Sequence, residues 1–221
     1  LYWGDLMASL SPINRLQIGL RVPLAYADGD GIDFKTGGPD PNRLQMFGVG
    51  DINVEGKFRL LGEADDPYVL AIGGDISAPV GGYAFKGAHI GNASPVTGAV
   101  RLIFDGQWQD KLTFGLNLRG VFREDSSFGS STSRTTVGPI DFRYGAGVGY
   151  KVTPIIRVLA EGYGSTQFQS LNGTNALEID GAVQIAPLDS GITITAGGGA
   201  GVIQGIGVPL ARAIVGVMYA H

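Results

Sequence analysis

Cysteine is absent from the 221 residues, so neither a disulfide framework nor a thiolate metal site can form, and cysteine usage says nothing of redox compartment. Histidine is nearly absent, with only His89 and His221. No stretch approaches the roughly 18 consecutive apolar residues of a membrane-spanning helix. The formal charge of -4 supplies no basic field for nucleic acid, so no such partner is expected. The opening Leu1-Tyr2-Trp3-Gly4-Asp5 has neither the basic nor the apolar segment of a secretory leader, and the chain reads as mature or as cut from something longer. No composition shift marks a linker, which predicts one domain over residues 1–221.

What is present is an alternation of period two. From Val49 to Gly62, one set of residues reads Ile52, Val54, Gly56, Phe58, Leu60 and the other Asp51, Asn53, Glu55, Lys57, Arg59. Successive side chains of a strand point to opposite faces, so this stretch has one apolar and one charged face. A helix would scatter the same residues around its cylinder. Leu16 to Tyr26 repeats the pattern, as do segments starting near Leu1, Tyr68, Val96, Leu112, Ile140, Ile156, Leu177, Ile192 and Ala213. The first of these is expected to stop at a short turn, Ser11-Pro12-Ile13-Asn14. Eleven strands are predicted in all, with no helix of ordinary length. Their connections alternate short and long, the long polar ones being 27–48, about 80–94 and 124–139. That rhythm is the signature of an antiparallel up-and-down transmembrane β-barrel.

A soluble barrel could carry the same alternation turned inside out. Three features favour the membrane. A barrel of about 12 strands is too wide inside for Leu and Ile to fill, so its apolar face must point outward. Glycine, 37 residues, recurs on the polar face at Gly145, Gly147, Gly149, Gly197, Gly199 and Gly201, where a crowded interior accommodates it better than a solvated strand would. Finally, Tyr26, Tyr68, Trp108, Phe122, Tyr150 and Tyr219 fall near strand ends, as interface girdles require.

On this reading the interior is lined by Arg21, Lys57, Arg59, Arg101, Arg119, Arg123, Arg143, Lys151 and Arg157 against Asp51, Glu55, Asp75, Asp105, Asp141, Glu161, Glu178 and Asp180. The signs nearly balance. An interior filled by ion pairs is therefore expected, with a narrow polar pore as the alternative. Bacterial single-chain barrels have even strand counts. Eleven strands thus imply either a first strand upstream of Leu1 or a true count of 10 or 12.

Signals for chemistry are weak. His89 beside Ser94 lacks an evident orienting partner and reads as a solvated loop histidine. Asp28-Gly29-Asp30-Gly31-Ile32-Asp33 resembles an oxygen-rich calcium loop but lacks its terminal Glu, so a flexible polar loop is expected. Gly197 to Gly201 has neither the Lys-Ser/Thr nor the helix of a phosphate cradle and reads as a glycine-lined strand. The motifs Asn92-Ala93-Ser94 and Asn172-Gly173-Thr174 match a glycosylation pattern only by coincidence. No catalytic residue, metal site or cofactor is expected, and the protein is read as non-enzymatic.

The segments RLQIGLRVPL, GVGDINVEGKFRLL and GIGVPLAR resemble the N-terminal barrels of OmpA-type Gram-negative outer membrane proteins. This resemblance implies an outer-membrane location, contact with lipid and lipopolysaccharide, and a structural or anchoring role. Peptidoglycan contact is implied only through a domain that these residues do not contain. A small-solute channel is the alternative, and surface recognition through loops 27–48 and 124–138 is a third possibility.

Overall fold

The computed structural model describes residues 2–32, 39–63, 66–78, 96–130, 133–168, 173–187, 191–205 and 208–219. At 2–3, 25, 27–32, 39–46, 126–130 and 133–137 it describes the backbone alone. The strands are β1 (Tyr2–Ile13), β2 (Leu16–Ile32), β3 (Pro39–Val49), β4 (Ile52–Leu61), β5 (Tyr68–Ala78), β6 (Thr97–Trp108), β7 (Leu112–Phe122), β8 (Ser126–Ser130), β9 (Ser133–Val137), β10 (Ile140–Lys151), β11 (Ile156–Thr166), β12 (Ala176–Ile185), β13 (Ile192–Ile203) and β14 (Arg212–Tyr219). Twelve form one sheet ordered β1-β2-β4-β5-β6-β7-β10-β11-β12-β13-β14, with β3 paired to β2. The fold is all-β, and no helix among the described residues is long and apolar enough to cross a membrane.

The chain divides into two compact units, Leu1–Lys57 with Gly74–Gly98, and Phe58–Gly73 with Ala99–His221. In the first, β1 pairs antiparallel with β2 from Tyr2↔Tyr26 to Ile13↔Leu16, with an irregularity between Leu10 and Ile13. The strand thus runs through Ser11 and Pro12, where a turn was predicted, and the chain reverses at Asn14–Arg15. In the second unit, antiparallel ladders join β7 to β10 and then each consecutive pair from β10 to β14.

Two of the expected long loops need correction. Residues 27–48 are largely strand, because β2 and β3 continue their ladder from Leu24↔Val49 out to Ile32↔Pro39. Within 124–139, β8 and β9 form a separate two-stranded sheet, from Ser126↔Val137 to Ser130↔Ser133. Both were missed for one reason: alternation reports a strand only where its two faces meet different surroundings, whereas backbone pairing needs no such contrast. The loop expected at 80–94 lies outside the described residues.

Turn chemistry explains the short connections. Gln109 and Asp110 both adopt left-handed conformations, at φ 52° and 53°, and the Lys111 amide bonds the Trp108 carbonyl at 3.1 Å. Gln109, Asp110 and Lys111 thus make a three-residue connection between Trp108 and Leu112, with the left-handed residues that tight hairpin turns favour. At Gly62, φ is +80° and a Cβ would lie 2.2 Å from the Tyr68 carbonyl oxygen, so glycine is required there.

The distribution of burial is inverted relative to a soluble domain. The buried hydrophobics among the described residues are Ala71, Ala99, Val121 and Ala176, whereas Asp75, Asp141 and Glu178 are buried. Val54, Phe58, Ile76, Val100, Leu116, Val148, Ile179 and Val217 are exposed. Contiguous apolar exposure on this scale is not sustained in water.

Candidate functional site

Alternation brings the charged residues to one face, and the ladders decide which of them meet. In the first unit, Arg21 holds Asp5 with both arms of its fork, Nε and Nη2 each 3.0 Å from a carboxylate oxygen. Asn53 donates to the buried Asp75 at 3.2 Å. Glu55 folds over Gly19, where a Cβ would lie 2.8 Å from Glu55 Cγ. Asp51 is half-buried and Lys57 exposed.

In the second unit Arg59 pairs with Glu63. Buried Asp141 accepts from Arg143 Nε at 2.9 Å and, more loosely, from Arg123 Nη2 at 3.5 Å. Arg212 grips Glu178, with Nε to Oε1 at 2.6 Å and Nη2 to Oε2 at 3.2 Å. Tyr163 donates to Asp180 at 3.3 Å. The Arg212–Glu178 bridge spans two ladders, because Arg212 lies opposite Gly199, which lies opposite Asp180, one polar-face position from Glu178. A Cβ at Gly199 would lie 1.6 Å from Asp180 Oδ1 and 2.6 Å from the Ile179 carbonyl oxygen. Glycine on β13 is what lets a β14 arginine reach β12.

Two cavities open on this face of the second unit. One, of about 380 Å³, is lined by Arg123, Asp141, Arg143, Tyr163, Glu178 and Arg212, among others, at the strand ends leading to the long connections. The other, of about 480 Å³, lies toward the short turns and is lined by Asp66, Asp105, Asn117, Glu161 and the glycines Gly145, Gly147 and Gly149. Arg101 and Arg119 are half-buried, Arg157 reaches beside Gly149, and Lys151 is exposed at the short-turn end.

The apolar face carries aromatic groups at both ends. Tyr68, Phe104 and Phe114 cluster toward the short turns with centroids 5.9–6.3 Å apart. Gly106 accommodates the Phe114 ring, which a Cβ there would meet at 2.2 Å. Toward the long connections, Phe142 packs with Tyr144 and Phe168 at 6.3 and 5.7 Å. Tyr68, Trp108, Phe122, Tyr150 and Tyr219 are exposed, and Tyr26 is half-buried.

Sequence reasoning missed Arg212 and Asp5 as members of the polar network. Arg212 shares its parity with Ile214 and Gly216, opposite to Ala213, Val215 and Val217, and that signal could have found it. Among the described residues, no three His, Cys, Asp or Glu side chains converge as a metal site would require. His89, His221 and the Asn92 motif lie outside the described residues, as do the side chains of Asp28 to Asp33; the backbone of 28–32 belongs to β2. The Gly197 to Gly201 run lies within β13.

A family model described as "Putative MetA-pathway of phenol degradation" matches residues 16–202. No curated protein sequence matches the chain. Among solved structures, the NanC porin superposes with a TM-score of 0.59 at 12% identity, covering 100% of this chain and 93% of its own. The COG4313 outer membrane channel from Pseudomonas putida F1 superposes with a TM-score of 0.57 at 15% identity, covering 96% of this chain and 78% of its own. The fold is therefore that of an outer-membrane β-barrel. These matches bear out the barrel implied by the resemblance drawn from sequence, but they do not support its OmpA-type assignment.

Proposed function

We propose that this chain, which belongs to the MetA-pathway phenol-degradation family, is an outer-membrane channel for small solutes. The observation that carries this reading is the polar face of the second unit, whose ion pairs leave cavities of about 480 and 380 Å³ unfilled. A strictly anchoring barrel has no use for such space, and packed interiors hold few voids larger than a water. Exposed apolar side chains opposite buried carboxylates support a setting in lipid, with the aromatic clusters at the two interfaces and lipopolysaccharide as the outer-leaflet neighbour. The charged residues of the polar face are then pore lining, and no enzymatic step is assigned to them.

The family description and the two channel structures favour conduction over the anchoring role that an OmpA-type assignment would carry. Surface recognition is a further reading, favoured by the β2–β3 extension and the β8–β9 hairpin, which would stand clear of the bilayer as a platform for a partner. The test of the main reading is single-channel recording of the purified chain in a planar bilayer, with heat-modifiable gel mobility confirming the fold. Reproducible conductance steps are expected. Silence from a folded, inserted barrel would overturn the channel and leave anchoring or recognition.

A further inference from the structure

We infer that the cavity of about 380 Å³ in the second unit is a binding site for a small hydroxycarboxylate, whose carboxylate Arg123 and Arg143 hold and whose hydroxyl donates to Gln167. The inference deepens the channel reading by naming a solute, and rests on that reading only for the solute's passage. It starts from two polar groups of the lining that the fold leaves unused. Gln167 retains only 9% of its surface, yet its Oε1 accepts no hydrogen bond. Arg123 Nε is likewise buried and donates none. A donor or acceptor shut off from water without a partner carries a free-energy cost that a bound partner removes. Local structure fixes Gln167 there. Thr166, the last residue of β11, pairs with Phe142, so Gln167 comes at the register position of Asp141. Phe168 then adopts a left-handed conformation, at φ 56°, and its amide bonds Thr166 Oγ1 at 3.0 Å, which holds the turn around Gln167.

The arginines of the same lining divide into two kinds. Arg212 commits both Nε and Nη2 to Glu178 and closes the wall. Arg143 gives only its Nε, to Asp141 at 2.9 Å, and its side chain is 45% exposed. Among the described residues its two terminal nitrogens bond nothing else. They form a planar fork that matches the two oxygens of a carboxylate. Arg123 reaches Asp141 only loosely, at 3.5 Å, and keeps its buried Nε for another acceptor. The cavity thus lacks an acceptor beside Arg123 and Arg143 and a donor beside Gln167, and a hydroxycarboxylate carries both. Charge narrows the class further. Three guanidinium groups line the cavity against two carboxylates, and Asp180 accepts from Tyr163 beside them. Such a balance suits one negative charge and disfavours a doubly charged phosphate. The volume falls within the range of small-molecule sites, about 300–1,000 Å³.

Calorimetric titration of the whole chain, folded in a non-ionic detergent, tests the site. The probes are 3- and 4-hydroxybenzoate, with benzoate, phenol and inorganic phosphate as controls. Saturable binding of at least one hydroxybenzoate is expected, about five- to tenfold tighter than benzoate, as one added hydrogen bond provides. Phenol and phosphate should bind more weakly than either hydroxybenzoate. Gln167→Leu should erase the preference for hydroxybenzoate over benzoate without lowering the urea midpoint, because it removes a buried group that has no partner. Arg143→Lys keeps the charge but loses the fork, and should weaken both carboxylates about tenfold. An absence of saturable binding would leave the cavity to water and overturn the site. So would benzoate or phosphate binding as tightly as both hydroxybenzoates, or variants that leave affinity and preference unchanged. If Arg143→Lys loses heat-modifiable mobility, Gln167→Leu decides alone. Single-channel recording separates this site from the channel: binding with a silent bilayer would keep the site and overturn conduction, and conduction without binding would do the reverse.

Discussion

The two cavities of the larger unit share β10 and β11, yet one is lined by three arginines paired with two carboxylates and the other by carboxylates and bare backbone. Along β10 the polar face reads Asp141, Arg143, Gly145, Gly147, Gly149 and Lys151, and along β11 it reads Arg157, Leu159, Glu161, Tyr163 and Ser165. The parity is identical at both ends, so alternation fixes which face a residue occupies but not what the face does at each height. Overall balance of sign conceals a segregation by depth. On the proposed channel reading, a solute entering at the long-connection end would meet the arginine-rich wall first and the acidic one after it.

The sharpest way to break the comparison is to break the faces on which it stands. Leu116 is exposed on the apolar face, and its neighbour Asn117 lines the acidic cavity. Leu116→Arg is expected to cost about 2–4 kcal/mol of unfolding free energy in lipid vesicles, and Asn117→Arg far less. Equal losses in a urea titration would show that the faces are misassigned.

Gly199→Ala comes next. The added methyl would strike the Ile179 carbonyl oxygen and the Asp180 carboxylate, and overpacking of this kind costs about 1–3 kcal/mol. The same substitution at Gly147, whose Cβ would come no nearer than 3.7 Å to any neighbour, should leave the urea midpoint almost unmoved.

Asp141→Asn removes the carboxylate shared by Arg123 and Arg143. It is expected to lower stability by about 1–2 kcal/mol while raising chloride preference in the bilayer; a shift toward potassium would contradict the arginine-rich wall. In the other cavity, the paired change Asp105→Asn with Glu161→Gln should raise chloride preference further and leave stability nearly unchanged. Together these variants separate the two walls, because each is altered while the other remains. Phe114→Ala removes one ring from the Tyr68–Phe104–Phe114 group and is read by stability alone. Beyond the lost buried area, it should cost about 0.5–1.5 kcal/mol.

Much of this architecture was legible from residues alone. The strands around Phe58, Leu116 and Val148 could be read because a lipid-facing side chain and a polar-facing one differ at every step. β3, β8 and β9 could not, since Pro39-Asp40-Pro41 and Ser126-Ser127 carry no contrast between faces. Individual charges on the polar face were legible, but their partners were not. Nothing local in the sequence says that Arg212 reaches Glu178, 34 residues away, or that Arg119 faces Arg143, because such pairings depend on register. The Phe142–Tyr144–Phe168 group was equally hidden, since Phe168 lies beyond the end of β11, where alternation has stopped.

The glycine stripe of β13 has one last consequence. Strands this poor in side chains pin their alignment weakly, and a slip of one residue turns every side chain to the opposite face. The Arg212–Glu178 bridge reads that alignment from outside the strand. In the native setting Gly199 lies beneath the reaching guanidinium; after a one-residue slip, Gly198 or Ala200 would take its place with the pleat reversed, and Thr193 and Thr195 would turn toward lipid. The salt bridge is thus compatible only with the native alignment. A glycine-rich strand that pins its own alignment weakly is thereby tied to its register by a bond between its two neighbours.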